Sequence, residues 1–256
     1  DSYLLLRSLT FFDDAEAETV LSNIGVYVPV SFAGAFAVDW RAGDKSLWRA
    51  TGPRLFHTAG YGQSNAAIRS APLVQLSGNA GGRWYTFEEG VVVPAGSSNY
   101  RMLRIRSTQR PLRFYHLGTE HKDQADAFVS IENSQNVTVF GFKSEDNKAS
   151  PTKAPPLWIS GSSQVNIFGA GGYVQPNPDD GSALPPALYR IDASTDFRLV
   201  SLMDRLGANS NTGNTITVSE QPSVGGPVHT LPLERPILYS RDPTLWDRVT
   251  PPRHGP

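Results

Sequence analysis

The chain contains no cysteine, which excludes disulfides, thiol nucleophiles and cysteine-ligated zinc together and leaves the compartment open. It also has no excess of either charge: 23 basic residues stand against 24 acidic ones, for a formal net charge of −1, and no basic run gathers along it. Phosphate backbones are held by a concentrated positive field, so a nucleic-acid partner is not expected. No stretch approaches the roughly 18 apolar residues that a membrane-spanning helix needs, so no membrane partner is expected either. The apolar Tyr3–Leu6 is too short and too poorly flanked for a secretory signal, and a start at Asp1 rather than methionine fits a mature or trimmed product. What the chain has in quantity is glycine (23) and proline (20), a turn-rich usage that suits many short strands better than long helices. Its 256 residues would fit one large all-β domain or two ordinary ones.

One helix signal stands near the start. Asp13 lies three residues before Glu16 as a capping box, and Gly25 follows Ile24 as a stop, which predicts a helix over about 14–23. Beyond it, residues 25–40 are rich in β-branched and aromatic side chains and are broken by Pro29 and Gly34, the pattern of two short strands. No repeat is visible in the first seventy residues, so 1–72 reads as a cap or lead-in segment of the same domain.

From Leu73 the chain resembles itself. Segments Leu73–Asn79, Met102–Thr108, Phe128–Ser134, Leu157–Ser163 and Leu188–Ser194 each carry apolar residues in a short strand followed by a small polar turn. The spacings from Leu76 to Ile105, Ile131, Ile159 and Ile191 are 29, 26, 28 and 32 residues. A second strand follows the last three at constant offset, as Val137–Phe140, Val165–Phe168 and Phe197–Val200. The corners 132–136 and 161–164 hold Asn, Gly, Ser and Gln, which suit left-handed bends. A period this variable points to coils of three strands with unequal loops leaving one corner, of which 143–156 and 173–186 are the longest. The alternative is an antiparallel β-sandwich, which does not require the same phrase to recur in register; a leucine-rich repeat lacks its leucine ladder here. Coils are thus expected over 73–242, closing on an irregular strand within 228–240, with a tail over 243–256.

The phrases Val129–Phe142 and Leu157–Gly169, with an apolar-x-Ile strand, a polar corner and then Asn/Gln-Val-x-Ile/Val, resemble the coils of the pectin-lyase-like superfamily. The resemblance covers about residues 73–205. It implies a fold that is all-β, a right-handed parallel β-helix (solenoid), with the predicted short helix as its N-terminal cap. It also implies a secreted or cell-surface protein concerned with polysaccharide. It says little about activity, because lyases, glycoside hydrolases, epimerases, phage tailspikes and inert adhesins share the fold. No catalytic motif of pectate lyases or polygalacturonases is matched: Asp179-Asp180 lies in a Pro/Gly-rich loop rather than after a strand.

If the coils stack in this register, the positions just beyond each second strand form ladders: Thr119, Ser144, Gly172 and Asp204, then Glu120, Glu145, Tyr173 and Arg205. Two carboxylates one rung apart lie about 5 Å from each other, where like charge separates their pKa values into an acid and a base or nucleophile. A lyase acting on a uronic-acid polymer needs a cation for the sugar carboxylate, a base and a proton donor. Glu120, Glu145, Lys143, His116, His121 and Arg205 are therefore the catalytic candidates, and Tyr173, Asp204 and Trp158 the substrate-binding ones. The plainer reading makes the carboxylates solvated loop charges and His116 and His121 ordinary turn histidines. No metal or cofactor is expected; Asp123, Asp126, Asp179 and Asp180 are of the type that binds calcium, with solvated loop acids the plainer reading. Trp40, Trp48 and Trp84 read as packing residues, and Asn136-Val-Thr138 is a glycosylation sequon only in a eukaryotic source.

The expectation is a secreted carbohydrate-active enzyme, a polysaccharide lyase or glycoside hydrolase with its groove along the β-helix. The alternatives are a non-catalytic carbohydrate-binding or adhesive β-helix, and a structural segment whose solenoid ends associate with further chains.

Overall fold

In a computed structural model of the chain, the residues described are 2–5, 9–10, 13–29, 38–49, 56–59, 72–90, 101–120, 127–145, 155–173, 187–204, 216–229 and 238–241. They form an all-β parallel solenoid. One sheet is built of short strands: β2 (Leu9–Thr10), β5 (Val38–Trp40), β8 (Val74–Ser77), β10 (Leu103–Arg106), β12 (Val129–Glu132), β14 (Leu157–Ser160), β16 (Ala187–Asp192) and β18 (Ile216–Gln221) pair in that order. The other sheet holds the long strands β9 (Gly82–Gly90), β11 (Leu112–Glu120), β13 (Gln135–Glu145), β15 (Ser163–Tyr173) and β17 (Thr195–Asp204).

Each long strand serves two faces. Its two halves meet at a residue with positive φ, and these residues fall on one line across the stack: Thr86, His116, Gly141, Gly169 and Ser201. Below β9 the two halves are separate strands. β3 (Val20–Ser22) and β6 (Leu47–Arg49) lead into the first half, while β1 (Ser2–Leu5), β4 (Ile24–Pro29) and β7 (Phe56–Ala59) lead into the second. The coil therefore has three faces, as the repeat predicts. The corner between short and long strands is built in the same way, with positive φ at Asn133, Gly161 and Ala193 and again at Asn136, Gln164 and Asp196. A non-glycine residue in this region is strained alone and persists where its surroundings over-determine it.

The aligned residues Leu76, Ile105, Ile131, Ile159 and Ile191 are in register on adjacent coils and fully buried. Beside them runs a buried hydroxyl ladder that supplies what the apolar core cannot. The Oγ atoms of Ser134, Ser162 and Ser194 accept the backbone N–H of Thr108, Ser134 and Ser162 at 3.3, 3.1 and 3.1 Å. Each serine hydroxyl also donates to the carbonyl two residues before it, at 2.9 Å. A turn can thus be interior without orphaning its backbone groups.

Two expectations need correction in the first seventy residues. Residues 14–23 are not a helix: Ala15 and Glu16 form a turn and β3 follows. The Asp13 carboxylate, read as a cap, instead accepts the backbone N–H and side-chain amide of Asn79 at 2.9 and 3.0 Å. Asp14 Oδ1 accepts Glu16 N–H at 2.9 Å, and Ser46 Oγ accepts Thr19 N–H at 3.0 Å, so pairing with the next coil overrides the local helix signal. No helix occurs among the described residues. The lead-in segment also carries coils of its own, since β5 stacks on β8 with Trp40 beside Leu76. Trp40, Trp48 and Trp84 are buried packing residues with ring centroids 5.0–5.8 Å apart. Residues 242–256 lie outside the described residues.

At the other end the pairing reverses. β19 (Val228–His229) runs antiparallel to β18, and β20 (Leu238–Ser240) antiparallel to β17. Here Glu220 takes the rung after Ile191 in the isoleucine column and is 2% exposed. Its carboxylate accepts hydrogen bonds from Tyr239 Oη and from Arg241 Nε at 2.8 Å. Burial, then the bond to Glu220, hold the Tyr239 phenol well above its ordinary pKa, so above pH about 10 the unfolded chain loses a proton that the folded one keeps, and stability falls with rising pH. Denaturant unfolding between pH 8 and 11 is expected to show a smaller decline for Tyr239→Phe than for the native chain. Equal declines would mean that the phenol is not held in this way.

Candidate functional site

Beyond the bend β13 alternates between inward and outward residues. Phe142 and Ser144 point inward and are buried, while Lys143 and Glu145 are partly exposed. Thr119 pairs with Ser144, and Ser144 and Glu145 pair with Gly172 and Tyr173. Glu120, one residue past Thr119, therefore stands beside Glu145 in backbone register, and Asp204 pairs with Gly172. The ladders keep the order in which the sequence placed them, but they differ in direction. Thr119 and Ser144 are buried, and Thr119 Oγ1 reaches Ser144 Oγ at 3.3 Å, so the Thr119 and Ser144 rungs belong to an inward line and Glu145 to an outward one.

Lys143 Nζ lies 3.0 Å from Glu145 Oε1, with both side chains about two-fifths exposed. A pair so open to water is worth at most about 1 kcal/mol, so an incoming carboxylate or cation can exchange with either partner at little cost. Chemically this is a cation and a base that a charged ligand can separate. His116 is not on this line: it occupies the bend, at φ 68°, on the rung of Gly141.

In sequence, residues 91–100, 121–126, 146–154, 174–186 and 205–215 join each long strand to the next short strand. Their lengths differ, as the variable period requires, and they lie outside the described residues. His121, Arg205, Asp123, Asp126, Asp179 and Asp180 fall on them, while Glu120, Tyr173 and Asp204 are placed by their backbone. Among the described residues no group of three or more His, Asp or Glu is arranged to hold a metal.

Trp158 is on the other sheet, in β14, and packs neither in the core nor beside Lys143. Its indole N–H donates to Asp192 Oδ2 at 2.7 Å, and the guanidinium groups of Arg101 and Arg190 lie over the ring at 5.3 and 5.1 Å. Arg190 also pairs with Asp192 at 2.8 Å. Further along this sheet Arg104 pairs with Glu132 at 2.6 Å, and Ser130 Oγ donates to the same carboxylate at 2.7 Å. On the short-strand face Arg104 and Arg190 are thus each paired with a carboxylate, and Trp158 belongs to the network around Asp192.

A feature absent from the sequence reading lies on the first half of the long strands. Tyr85, Tyr115, Phe140 and Phe168 form an outward stack with centroids 4.7, 5.3 and 5.4 Å apart and ring planes within 15°. Beside it run Arg83, Arg113, Thr138, Asn166 and Arg198. Four of these five stand seven residues after their aligned Leu76 or isoleucine, and Arg113 stands eight after Ile105, so extending the repeat alignment would have found the line.

The fold thus defines a parallel β-solenoid with an outward Lys–Glu pair at the end of a long strand. Compared with known proteins, the chain matches no family model, no curated protein sequence and no solved structure.

Gly172 is fixed by this edge, because a Cβ there would lie 1.8 Å from the Ser144 carbonyl oxygen, whereas a Cβ on Gly169 meets nothing within 4 Å. Both have positive φ. Gly169→Ala is expected to cost about 1–2 kcal/mol, the left-handed penalty alone, and Gly172→Ala about 1–3 kcal/mol more from overpacking. Paired thermal melts would check this order.

Proposed function

We propose that this chain is a carbohydrate-active protein of the pectin-lyase-like kind, with the right-handed coil that the resemblance implies, secreted or displayed at the cell surface. It acts on a polysaccharide laid along the ends of the long strands, as a lyase or a glycoside hydrolase. The observation that carries this reading is the outward pair of Lys143 and Glu145, 3.0 Å apart, with Glu120 and Tyr173 beside Glu145 in backbone register at the ends of the long strands. Binding loops on a solenoid gather on one side, next to residues that a rigid stack holds in place.

Two chemistries fit these residues. In elimination, Lys143 leaves Glu145 for a sugar carboxylate and the freed Glu145 takes the adjoining ring proton. Glu120, in its neutral form, would protonate the departing oxygen. In hydrolysis, Glu120 and Glu145 one rung apart would act as acid and nucleophile at the roughly 5 Å separation of retaining glycosidases. His116, His121, Arg205, Tyr173 and Asp204 remain supporting candidates, and Trp158 keeps a binding role only if the polymer crosses to the short-strand face. Non-catalytic binding is favoured by one observation, that Glu145 is already held by Lys143. Association at the solenoid ends finds no support at the C-terminal one, where β19 and β20 run antiparallel over both sheets.

The test is incubation with acidic and neutral polysaccharides, following absorbance of unsaturated uronate together with reducing ends, for the native chain, Glu145→Gln and Lys143→Ala. Absorbance lost in both variants is the outcome expected for a lyase. Reducing ends without absorbance, lost in Glu145→Gln, would assign hydrolysis. Binding without any product would leave the non-catalytic reading, and no binding at all would overturn the proposal.

A further inference from the structure

The first half of the long strands carries an arginine cluster drawn from three distant parts of the chain. Arg83 and Arg113 are directly opposite each other on adjacent rungs, and Arg49 stands in register with Tyr85 at the end of the ring stack. All three are exposed, and none of the ion pairs among the described residues takes them up. Like charges directly opposite one another destabilise a sheet. The described outward residues of this face on β6 and on the first halves of β9 and β11 are Leu47, Arg49, Arg83, Tyr85, Arg113 and Tyr115, with no carboxylate among them. The short-strand face, by contrast, pairs Arg104 with Glu132 and Arg190 with Asp192.

The rings beside the arginines limit what can bind. Their faces are closed against one another at 4.7–5.4 Å, so they present edges outward and offer no platform on which a base could stack. Single-stranded nucleic acid depends on such stacking. What the surface does offer is positive charge from Arg83 and Arg113 on rungs about 4.8 Å apart, with Arg49 diagonal to Arg83 on the rung before, and hydroxyl and amide groups at Thr138 and Asn166 further along the Arg83 line. We infer that Arg49, Arg83 and Arg113 form a docking ladder for an anionic polysaccharide, whose carboxylate or sulfate groups recur along one chain and whose hydroxyls meet the polar rungs beyond. This rests on the carbohydrate reading above but uses a different face from Lys143 and Glu145.

The experiment is binding of the full chain to polygalacturonate, heparin, polyuridylate and neutral dextran by titration calorimetry at low and physiological salt, comparing the native chain with Arg83→Ala/Arg113→Ala and with Lys143→Ala. The expected result is salt-sensitive binding to one or both acidic polymers and none to dextran. The double variant should bind about tenfold more weakly or worse, with its melting temperature unchanged or raised because a like-charge contact is gone. Polygalacturonate and heparin distinguish carboxylate from sulfate as the recognised group. Equal affinity in the double variant, equal binding of dextran, or binding of polyuridylate in place of the acidic glycans would each overturn the inference. Cleavage that survives in the double variant while binding to the long polymer also survives would sink the ladder and spare the proposed function. Arginine-dependent binding without cleavage would do the reverse.

Discussion

Every feature of this molecule follows from parallel strands stacked in register. Because each coil lies directly on the last, with rungs about 4.8 Å apart, a position repeats as a column rather than as a point. Inside, the columns must be apolar and of compatible width, as with Leu76, Ile105, Ile131, Ile159 and Ile191. At the corners the backbone must turn the same way on every coil, which puts Thr86, His116 and Ser201 into the left-handed region alongside Gly141 and Gly169. The strain at such a residue is shared by the stack, since its neighbours above and below hold the same bend.

Register also decides what the sequence reveals. The inward isoleucines and the polar corners are legible because they recur under the same constraint on each coil. The coils before Leu73 are not, because there the bent strand is divided into β6 and β7, and two tryptophans, Trp40 and Trp48, packed on Trp84, fill the space that smaller apolar residues fill later. The capping-box pattern at Asp13 and Glu16 misleads because its carboxylate is engaged by Asn79, a partner 66 residues away that no local pattern shows. Of the candidate site, the rung order at Glu120, Glu145, Tyr173 and Asp204 was legible from strand offsets. The inward direction of the Thr119 and Ser144 column depends on alternation counted from the bend, and the bend is carried by His116 as readily as by glycine.

Outward columns are under no packing constraint, and this is where the coils differ. The short-strand face pairs Arg190 with Asp192 beside Trp158, whose indole N–H shares that carboxylate. Among the described residues, the second half of the long strands carries the loose pair of Lys143 with Glu145, and the first half carries Arg83 and Arg113 opposite each other beside a closed ring stack. Paired charges cost a ligand an exchange, whereas like charges facing each other lower the cost of an anion's arrival. The three faces of one coil are therefore unequal as binding surfaces even though the backbone beneath them repeats.

The isoleucine column ends at a carboxylate, and that choice bears on how a solenoid stops. Any parallel stack presents an edge on which another strand can pair. Another coil laid on an apolar rung would bury more apolar surface, so the column by itself favours continuation. Glu220 reverses that preference: it is buried, and its oxygens are met by Tyr239 on the strand that comes back antiparallel and by Arg241 just after it. A further coil in place of β20 would have to displace both donors and leave a buried charge without partners, a cost of several kcal/mol. The same ion that is expensive in the core thus makes the antiparallel ending more stable than one more parallel turn, which gives this end of the solenoid a defined limit.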